Sequence, residues 1–321
     1  MKKKTLKLLK IALPLSLGIF LIWYSIQSAT PQERQELLDN ILKANPWWIL
    51  LSLCLGTLSH LSRAYRWKYL LEPLGHKPRL ANSFMAVMVG YLANLGIPRS
   101  GEVLRAATLS SYEKIPFEKG FGTIISERIA DLIVLLAIVL LSLTIQTDIL
   151  FSYFEANDIN PVLSIGILLL IVSIGVLMLS FIKNSSWKIA VKIKKMASGL
   201  LEGMRSILKM KKKWPFIFHT LFIWLMYILM FYVVTFTIPE TANAGLEAIM
   251  AAFVVGSFAI SATNGGIGVY PLAIGAILLF YGISRQHGEA FGWIVWGTQT
   301  LLVLVLGGLS FLLLPLLNQK K

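Results

Sequence analysis

The residues best suited to do chemistry lie in a break within an apolar region, between Asn94 and Arg105. This segment contains one proline, two glycines and three charged residues, Arg99, Glu102 and Arg105. Charged side chains are costly to keep at membrane depth, and they commonly mark a polar cavity or pathway. Guanidinium groups bind phosphate oxygens through paired hydrogen bonds, so the segment predicts recognition of a phosphate group.

A second break stands 170 residues further on, where Asn264-Gly265-Gly266-Ile267 repeats the frame of Asn94-Leu95-Gly96-Ile97. It continues with Gly268, Tyr270 and Pro271 and carries no charge. Broken helices expose backbone N–H groups that bind anions, and glycines let a headgroup approach the backbone. We therefore predict that the two breaks face one site, with the first holding a headgroup and the second shaping and gating its path.

Other polar residues join the first break as candidates for this site. The predicted headgroup-binding residues are Arg63, Arg66, Asn94, Gly96, Arg99, Gly101, Arg105 and Arg128. Glu102, Glu127 and Asp131 are candidates for proton coupling or for recognition of a positively charged headgroup. A simpler interpretation of Arg63 and Arg66 stays open, in which both side chains extend toward lipid phosphates at the membrane surface.

Local ion pairs are a second interpretation of the same charges. Glu102 and Arg105 are three residues apart, so they would be neighbours on a helix. Arg128 and Asp131 have the same spacing. The interpretations are compatible, because a resting site can hold its charges in pairs that a lipid phosphate displaces.

The elements that position these residues are helices of a membrane protein. The sequence is 56% hydrophobic with a mean hydropathy of +0.71. It contains several apolar runs near the roughly 20 residues that span a bilayer core, and no ten-residue alternating segments of the kind that build membrane barrels. We predict an all-α polytopic membrane protein, with residues 1–321 forming a single transmembrane domain.

The positive charge follows the membrane topology. The net charge is +14, and ten Lys/Arg lie between Lys183 and Lys213 with only Glu202 opposing them. Basic runs that flank spans are typical of cytoplasmic loops. This distribution predicts a multi-pass protein of the inner membrane with both termini in the cytoplasm, and it argues against nucleic-acid binding because no basic groove with interleaved aromatics occurs.

The topology that satisfies these charges has about six full spans and two short helical hairpins that enter from opposite sides. The predicted spans cover about 8–26, 50–71, 121–144, 161–183, 214–238 and 291–317. The re-entrant hairpins cover 80–119 and 244–285, within halves 46–147 and 214–317 that form an inverted repeat. A basic amphipathic segment, 184–213, connects the halves. Interrupted segments in two oppositely oriented halves indicate the central site of a transporter.

Smaller signals place the remaining elements. Thr30-Pro31-Gln32-Glu33 has the form of a capping box and predicts a short helix on the outer surface that ends before Asn45-Pro46. Tryptophans near span ends, including Trp293 and Trp296, are typical of interfacial belts.

Motifs for other chemistry are missing from the sequence. It has no phosphate-binding Gly-x-x-x-x-Gly-Lys-Ser/Thr loop and no His-Glu-x-x-His pair. Its four histidines are far apart, and Cys54 is the single cysteine. We therefore expect no metal and no cofactor.

A set of motifs carries a family resemblance. The motifs are Arg63-Ala-Tyr-Arg-Trp67, Ile97-Pro-Arg-Ser-Gly-Glu-Val-Leu-Arg105, Ser126-Glu-Arg-Ile-Ala-Asp131 and Gly265-Gly-Ile-Gly-Val-Tyr270. Together they resemble the transmembrane region of lysylphosphatidylglycerol synthases, which also occurs as a standalone flippase-like protein. In bifunctional members this region is assigned to moving the aminoacylated lipid between leaflets, while a separate soluble domain makes it. Because the sequence ends at Lys321 after the last span, we expect the aminoacyl-transferase activity to be absent.

These expectations combine into a leading hypothesis and two alternatives. The leading one is a flippase or transporter that moves a phosphate-bearing amphipathic lipid, either a phospholipid, an aminoacyl-phospholipid or a glycolipid, through a polar cavity. The alternatives are an integral-membrane transferase with a lipid-phosphate donor, and a non-transporting scaffold for a lipid or glycan synthase. The expected partners are membrane lipids, with a separate lipid-modifying or glycan-synthesis enzyme and self-association as further candidates.

Overall fold

Helices make up the architecture of this protein, as the composition predicts. The computed structural model describes residues 30–97, 100–146, 210–263 and 265–319, together with Phe20, Trp23 and Gln27. Within these ranges the chain forms ten α-helices and no strand. They are α1 Pro31–Leu42, α2 Pro46–Leu71, α3 Leu80–Gly96, α4 Gly101–Glu113, α5 Phe117–Ile145, α6 Lys213–Val234, α7 Pro239–Ala242, α8 Leu246–Ala262, α9 Val269–Leu279 and α10 Arg285–Leu317.

The chain divides into two units, which are described separately. The first contains Met1–Ile124 and Trp214–Lys321, and the second contains Ile125–Lys213. Helix α5 begins in the first unit and continues into the second, where it carries Glu127, Arg128 and Asp131. Both helical breaks belong to the first unit.

The short helix α1 begins where the capping box predicts. The Thr30 hydroxyl accepts a hydrogen bond from the Glu33 N–H at 3.2 Å, and Glu33 Oε2 accepts one from the Thr30 N–H at 2.7 Å. Asn45 then caps α2 by accepting from the Trp47 N–H at 3.0 Å. The chain bends by 66° between α1 and the helix that follows it, and α1 packs against α10.

Three of the described helices are long and apolar enough to cross a membrane, and a fourth crossing results if α1 and α2 count as one bent span. These are α5, α10, and α6 with the short 3-10 turn that follows it. They coincide with the predicted third, last and fifth spans. The predicted spans 8–26 and 161–183 and the amphipathic segment 184–213 lie outside the described residues, apart from isolated positions.

Two pairs of shorter helices occupy the regions where hairpins are predicted. Helices α3 and α8 have 17 residues each, while α4 has 13 and α9 has 11. At about 1.5 Å per residue, 17 residues reach roughly 26 Å, which is short of the roughly 30 Å hydrocarbon core. Re-entry from opposite sides and the inverted repeat stay predictions.

Small residues bring these short helices close to their neighbours. A Cβ built on Gly307 of α10 would lie 2.8 Å from Leu92 Cβ of α3. A Cβ on Gly292 would lie 2.7 Å from Pro271 Cα of α9. Close backbone approach at small residues is how helices associate in membranes. As a result, α10 contacts both short pairs and positions one break relative to the other.

Candidate functional site

The first break is closed by hydrogen bonds from its own residues. Asn94 Oδ1, at the end of α3, accepts from the Gly101 N–H at 2.7 Å and so caps the N-terminus of α4. The Ser100 hydroxyl donates to the carbonyls of Ala93 at 3.1 Å and Ile97 at 2.7 Å. A Cβ on Gly101 would lie only 2.2 Å from the Gly90 carbonyl oxygen, so the two helices meet at a glycine pair. Asn94 and Gly101, both predicted site residues, therefore build the turn itself.

The second break depends on glycine conformations. Gly265, Gly266 and Gly268 have φ values of 70°, 80° and 70°, in the left-handed region that favours glycine. The Gly265 carbonyl accepts a hydrogen bond of 2.7 Å from Trp296 Nε1 of α10. Trp296 thus has a structural role at the break that differs from the interfacial belt predicted for it.

The two breaks approach each other. A Cβ built on Gly265 would lie 3.9 Å from Leu95 Cδ2 at the end of α3, which is an ordinary van der Waals contact. Tyr270 and Pro271, just after the second break, are buried. Leu95 and Gly265, which correspond at the 170-residue offset, are therefore neighbours in space. That the two breaks face one site stays a prediction.

Three arginines are buried beside the first break. Arg63, Arg66 and Arg105 are exposed by only 3%, 0% and 5%. Arg105 of α4 stacks on Trp67 of α2, with its Cζ 3.7 Å from the ring centroid. Trp67 in turn donates from Nε1 to Thr123 Oγ1 at 2.8 Å. A guanidinium over an indole face is attracted by the ring quadrupole, more strongly when desolvated.

The other two arginines connect α2 to α6. Arg66 Nη1 donates to Thr220 Oγ1 at 2.9 Å, and Arg63 Nη2 donates to the Tyr227 hydroxyl at 3.2 Å. The Tyr227 hydroxyl is also 3.4 Å from that of Tyr91 on α3. These side chains hold the buried arginines at the meeting of α2, α3, α4 and α6.

His60 completes this polar group. Its ring centroid is 4.7 Å from that of Tyr91 and 6.4 Å from that of Tyr227, and the residue is only 5% exposed. The Nδ1 atom makes no hydrogen bond within the part of the chain that the structure describes. The shared helical face of His60, Arg63 and Arg66, which the sequence predicts, therefore points into the protein.

The remaining predicted site residues are dispersed. Arg99 and Asn264 lie outside the described residues. Gly96 is exposed and Glu102 is half-buried in the first unit. On α5 of the second unit, Glu127 and Asp131 are buried at 1% and 6% exposure, whereas Arg128 is exposed. Of the predicted phosphate ligands, Arg63, Arg66 and Arg105 are therefore the ones that the first unit buries near the break.

Among the described residues, no three His, Cys, Asp or Glu side chains lie where they could hold a metal ion together. The contacts described above join arginine, hydroxyl and aromatic groups.

Comparison with known proteins identifies the family. Residues 11–307 match the family described as the lysylphosphatidylglycerol synthase TM region. The chain belongs to this family. Membership confirms the resemblance drawn from the sequence motifs, and it makes the chain a multi-pass membrane protein with a lipid-related role.

One curated relative is a UPF0104 membrane protein of Methanocaldococcus jannaschii. It is 31% identical over 125 residues, a stretch that covers 37% of this chain and 37% of the relative. No solved structure matches the chain.

Several residues of the candidate site could not be predicted from the sequence. Trp67 is quoted in a motif, but its stacking with Arg105 joins positions on different helices. Tyr91, Thr220 and Tyr227 lie in predominantly apolar helices and belong to no motif. The only signal for them in the sequence is that each puts a polar group at a position that must be buried. A buried polar group needs a hydrogen-bond partner.

Proposed function

We propose that this protein moves a phosphate-bearing amphipathic lipid between the leaflets of the membrane. The observation that supports the proposal best is the burial of Arg63, Arg66 and Arg105 among apolar helices, on α2 and on the helix α4 that begins at the first break. Charged side chains are costly to bury within membrane helices, and they commonly mark a polar path. Three such residues in one region are more consistent with a polar path than with packing.

The partners of these arginines suit a transient anionic ligand. Thr220 and Tyr227 contribute hydroxyl groups, and Trp67 contributes an aromatic face. A lipid phosphate that reaches the site would meet pre-positioned donors, while the acyl chains remain in the bilayer.

Carboxylates are assigned a coupling role in this proposal. Glu127 and Asp131 are buried on α5, and Glu102 is half-buried on α4. A buried carboxylate can carry a proton or pair with a cationic headgroup. We assign the chain no aminoacyl-transferase activity. A separate lipid-modifying or glycan-synthesis enzyme would supply or use the lipid, and the membrane would be the inner one, with both termini cytoplasmic.

The test is lipid translocation in proteoliposomes. Vesicles with and without the purified protein receive headgroup-labelled lipids of several classes, and a membrane-impermeant quencher reports the fraction in the outer leaflet over time. Arg66→Gln should slow translocation about tenfold or more, because a hydrogen bond to a charged group contributes about 1.5–3 kcal/mol. Lys77→Gln, which removes an exposed positive charge, is the matched control and should behave as wild type.

Two outcomes would contradict the proposal. If the wild-type protein accelerates no lipid class under any ion gradient, the transport function is wrong. If wild type translocates lipid but Arg66→Gln and Arg105→Gln keep its rate while remaining monodisperse, transport stands and the site is elsewhere.

A further inference from the structure

A groove lies between α2 and α6. Its volume is about 500 Å³. The lining residues are Leu58, Leu61, Ser62, Tyr65, Tyr69, Leu80, Phe218, His219 and Phe222. Leu58, Leu61 and Phe218 on its rim are exposed, as residues that contact lipid would be. The groove is therefore apolar, aromatic and accessible from the bilayer.

The floor of the groove is a polar seam between the same two helices. The Ser62 hydroxyl and His219 Nδ1 are hydrogen-bonded at 2.8 Å. One residue further along α6, Thr220 accepts from Arg66, which is fully buried. Passing inward from the groove, a molecule would meet the Ser62–His219 pair and then the Arg66 guanidinium.

One end of the groove carries a cation and two phenols. The Lys68 ammonium lies 5.2 Å from the Tyr65 ring centroid and 3.8 Å from the Glu72 carboxylate, and its side chain is 40% exposed. The Tyr65 and Tyr69 rings are 5.8 Å apart in an edge-on arrangement. Aromatic and basic side chains at the end of a span suit the level of lipid phosphates. The charge pattern of the sequence predicts that this end is cytoplasmic.

We propose that the α2–α6 groove binds one membrane phospholipid and that the seam behind it is the lateral entrance to the arginine site. The acyl chain lies along Leu58, Leu61 and Phe222, and the phosphate lies near Lys68 and Tyr65. The occupant is a phospholipid because the groove is apolar along its length and ends at two phenols and the exposed Lys68 ammonium. A phosphate can bind this ammonium in exchange for its long 3.8 Å pair with Glu72, so the two ends of the groove match the two parts of that molecule. The entrance role rests on the proposed transport function, whereas the binding site does not.

The chemistry of the seam suits an entrance. A headgroup that passed an apolar seam would meet only hydrocarbon. In a seam closed by hydrogen bonds, the same groups can exchange their bonds to one another for bonds to the headgroup. The Ser62 hydroxyl and the His219 ring can each turn from one another to a phosphate oxygen. Arg66, beside Thr220, offers the next and stronger charge-assisted hydrogen bonds.

The binding site is tested by blocking the groove after folding. In a Cys54→Ser background, Leu61→Cys is purified and then labelled with a bulky maleimide, and Leu312→Cys on α10 is the exposed control outside the groove. Native mass spectrometry counts the phospholipids retained from vesicles of phosphatidylglycerol and phosphatidylethanolamine. We expect labelling at position 61, but not at 312, to reduce retention several-fold. Equal retention for the two labelled proteins would overturn the site.

The entrance is tested by closing the seam. Ser62→Cys with His219→Cys is joined by a short thiol-reactive cross-linker that a reductant cleaves, and each single cysteine is the control. We expect cross-linking to reduce lipid translocation at least fivefold and the reductant to restore it. Unchanged translocation in the cross-linked protein overturns the entrance. A wild-type protein that retains lipid in the groove but translocates none instead overturns the proposed function and supports the binding site.

Discussion

Replacing Gly101 with alanine would place a methyl group inside the contact between α3 and α4. The added Cβ would lie 2.2 Å from the Gly90 carbonyl oxygen and 2.6 Å from Asn94 Nδ2. Real Cβ atoms do not approach other atoms so closely, so the helices must separate or the break must rearrange. Separation would also stretch the 2.7 Å hydrogen bond between the Gly101 N–H and Asn94 Oδ1.

The expected loss follows from these two effects. Overpacking a close contact costs about 1–3 kcal/mol, and one buried hydrogen bond contributes about 1 kcal/mol. Gly101→Ala should therefore destabilise the protein by about 3 kcal/mol. At roughly 2 °C per kcal/mol for larger domains, the unfolding temperature should fall by about 5 °C or more.

Gly96→Ala is the matched control, because it lies in the same break and its added Cβ would meet nothing within 4 Å. Alanine also limits the unfolded chain more than glycine does, so this variant should be neutral or stabilised by up to about 1 kcal/mol. Thermal unfolding of both variants in detergent, followed by size-exclusion chromatography, measures the difference. If the unfolding temperatures of Gly101→Ala and Gly96→Ala differ by less than about 1 °C, the proposed glycine contact is wrong.

Three further predictions concern the second break and α1. Trp296→Phe removes the N–H that bonds Gly265 and should cost about 1 kcal/mol, whereas Trp293→Phe should not; equal thermal shifts would refute this role. Thr30→Ala removes the cap of α1, so amide exchange in its first turn should rise roughly fivefold for a loss of about 1 kcal/mol, and unchanged exchange would contradict the cap. Hydrogen bonds from Thr30 hold the pKa of Glu33 below its ordinary value of 4.5. Because the folded pKa is the lower one, this stabilisation is present at neutral pH and is lost as pH falls through that pKa. Pepsin cleavage of α1 should therefore rise in acid below pH 4.5 in wild type but show no such step in Glu33→Gln, and identical profiles would refute the linkage.

Local signals in the sequence were sufficient to locate the first break and the start of α1. The first break is predicted from its glycines and proline, and α3 ends at Gly96 and α4 begins at Gly101. The capping box around Thr30 and Glu33 is confirmed because its hydrogen bonds join residues three apart, within the reach of a sequence pattern. Such features depend only on neighbours along the chain.

Contacts between helices were not predictable in this way. The stacking of Arg105 on Trp67 and the hydrogen bond between Arg63 and Tyr227 depend on how α2 is rotated toward α4 and α6. Hydrophobic periodicity cannot give that rotation when every face of a helix is apolar. For the same reason, the sequence predicts that Arg63 and Arg66 share a face but not whether they face lipid or the protein interior.

The glycine contacts of α9 limit how it can move relative to α10. A Cβ on Gly288 would lie 2.9 Å from Gly275 Cα, and one on Gly292 would lie 2.7 Å from Pro271 Cα, so α9 and α10 touch backbone to backbone at two levels. Two helices whose backbones are in contact at two levels cannot pivot about each other without collision. Helices α9 and α10 therefore move as one rigid body. Any rocking of the later half therefore moves these two helices together, and the break at Gly265 moves with them because Trp296 of α10 bonds its carbonyl.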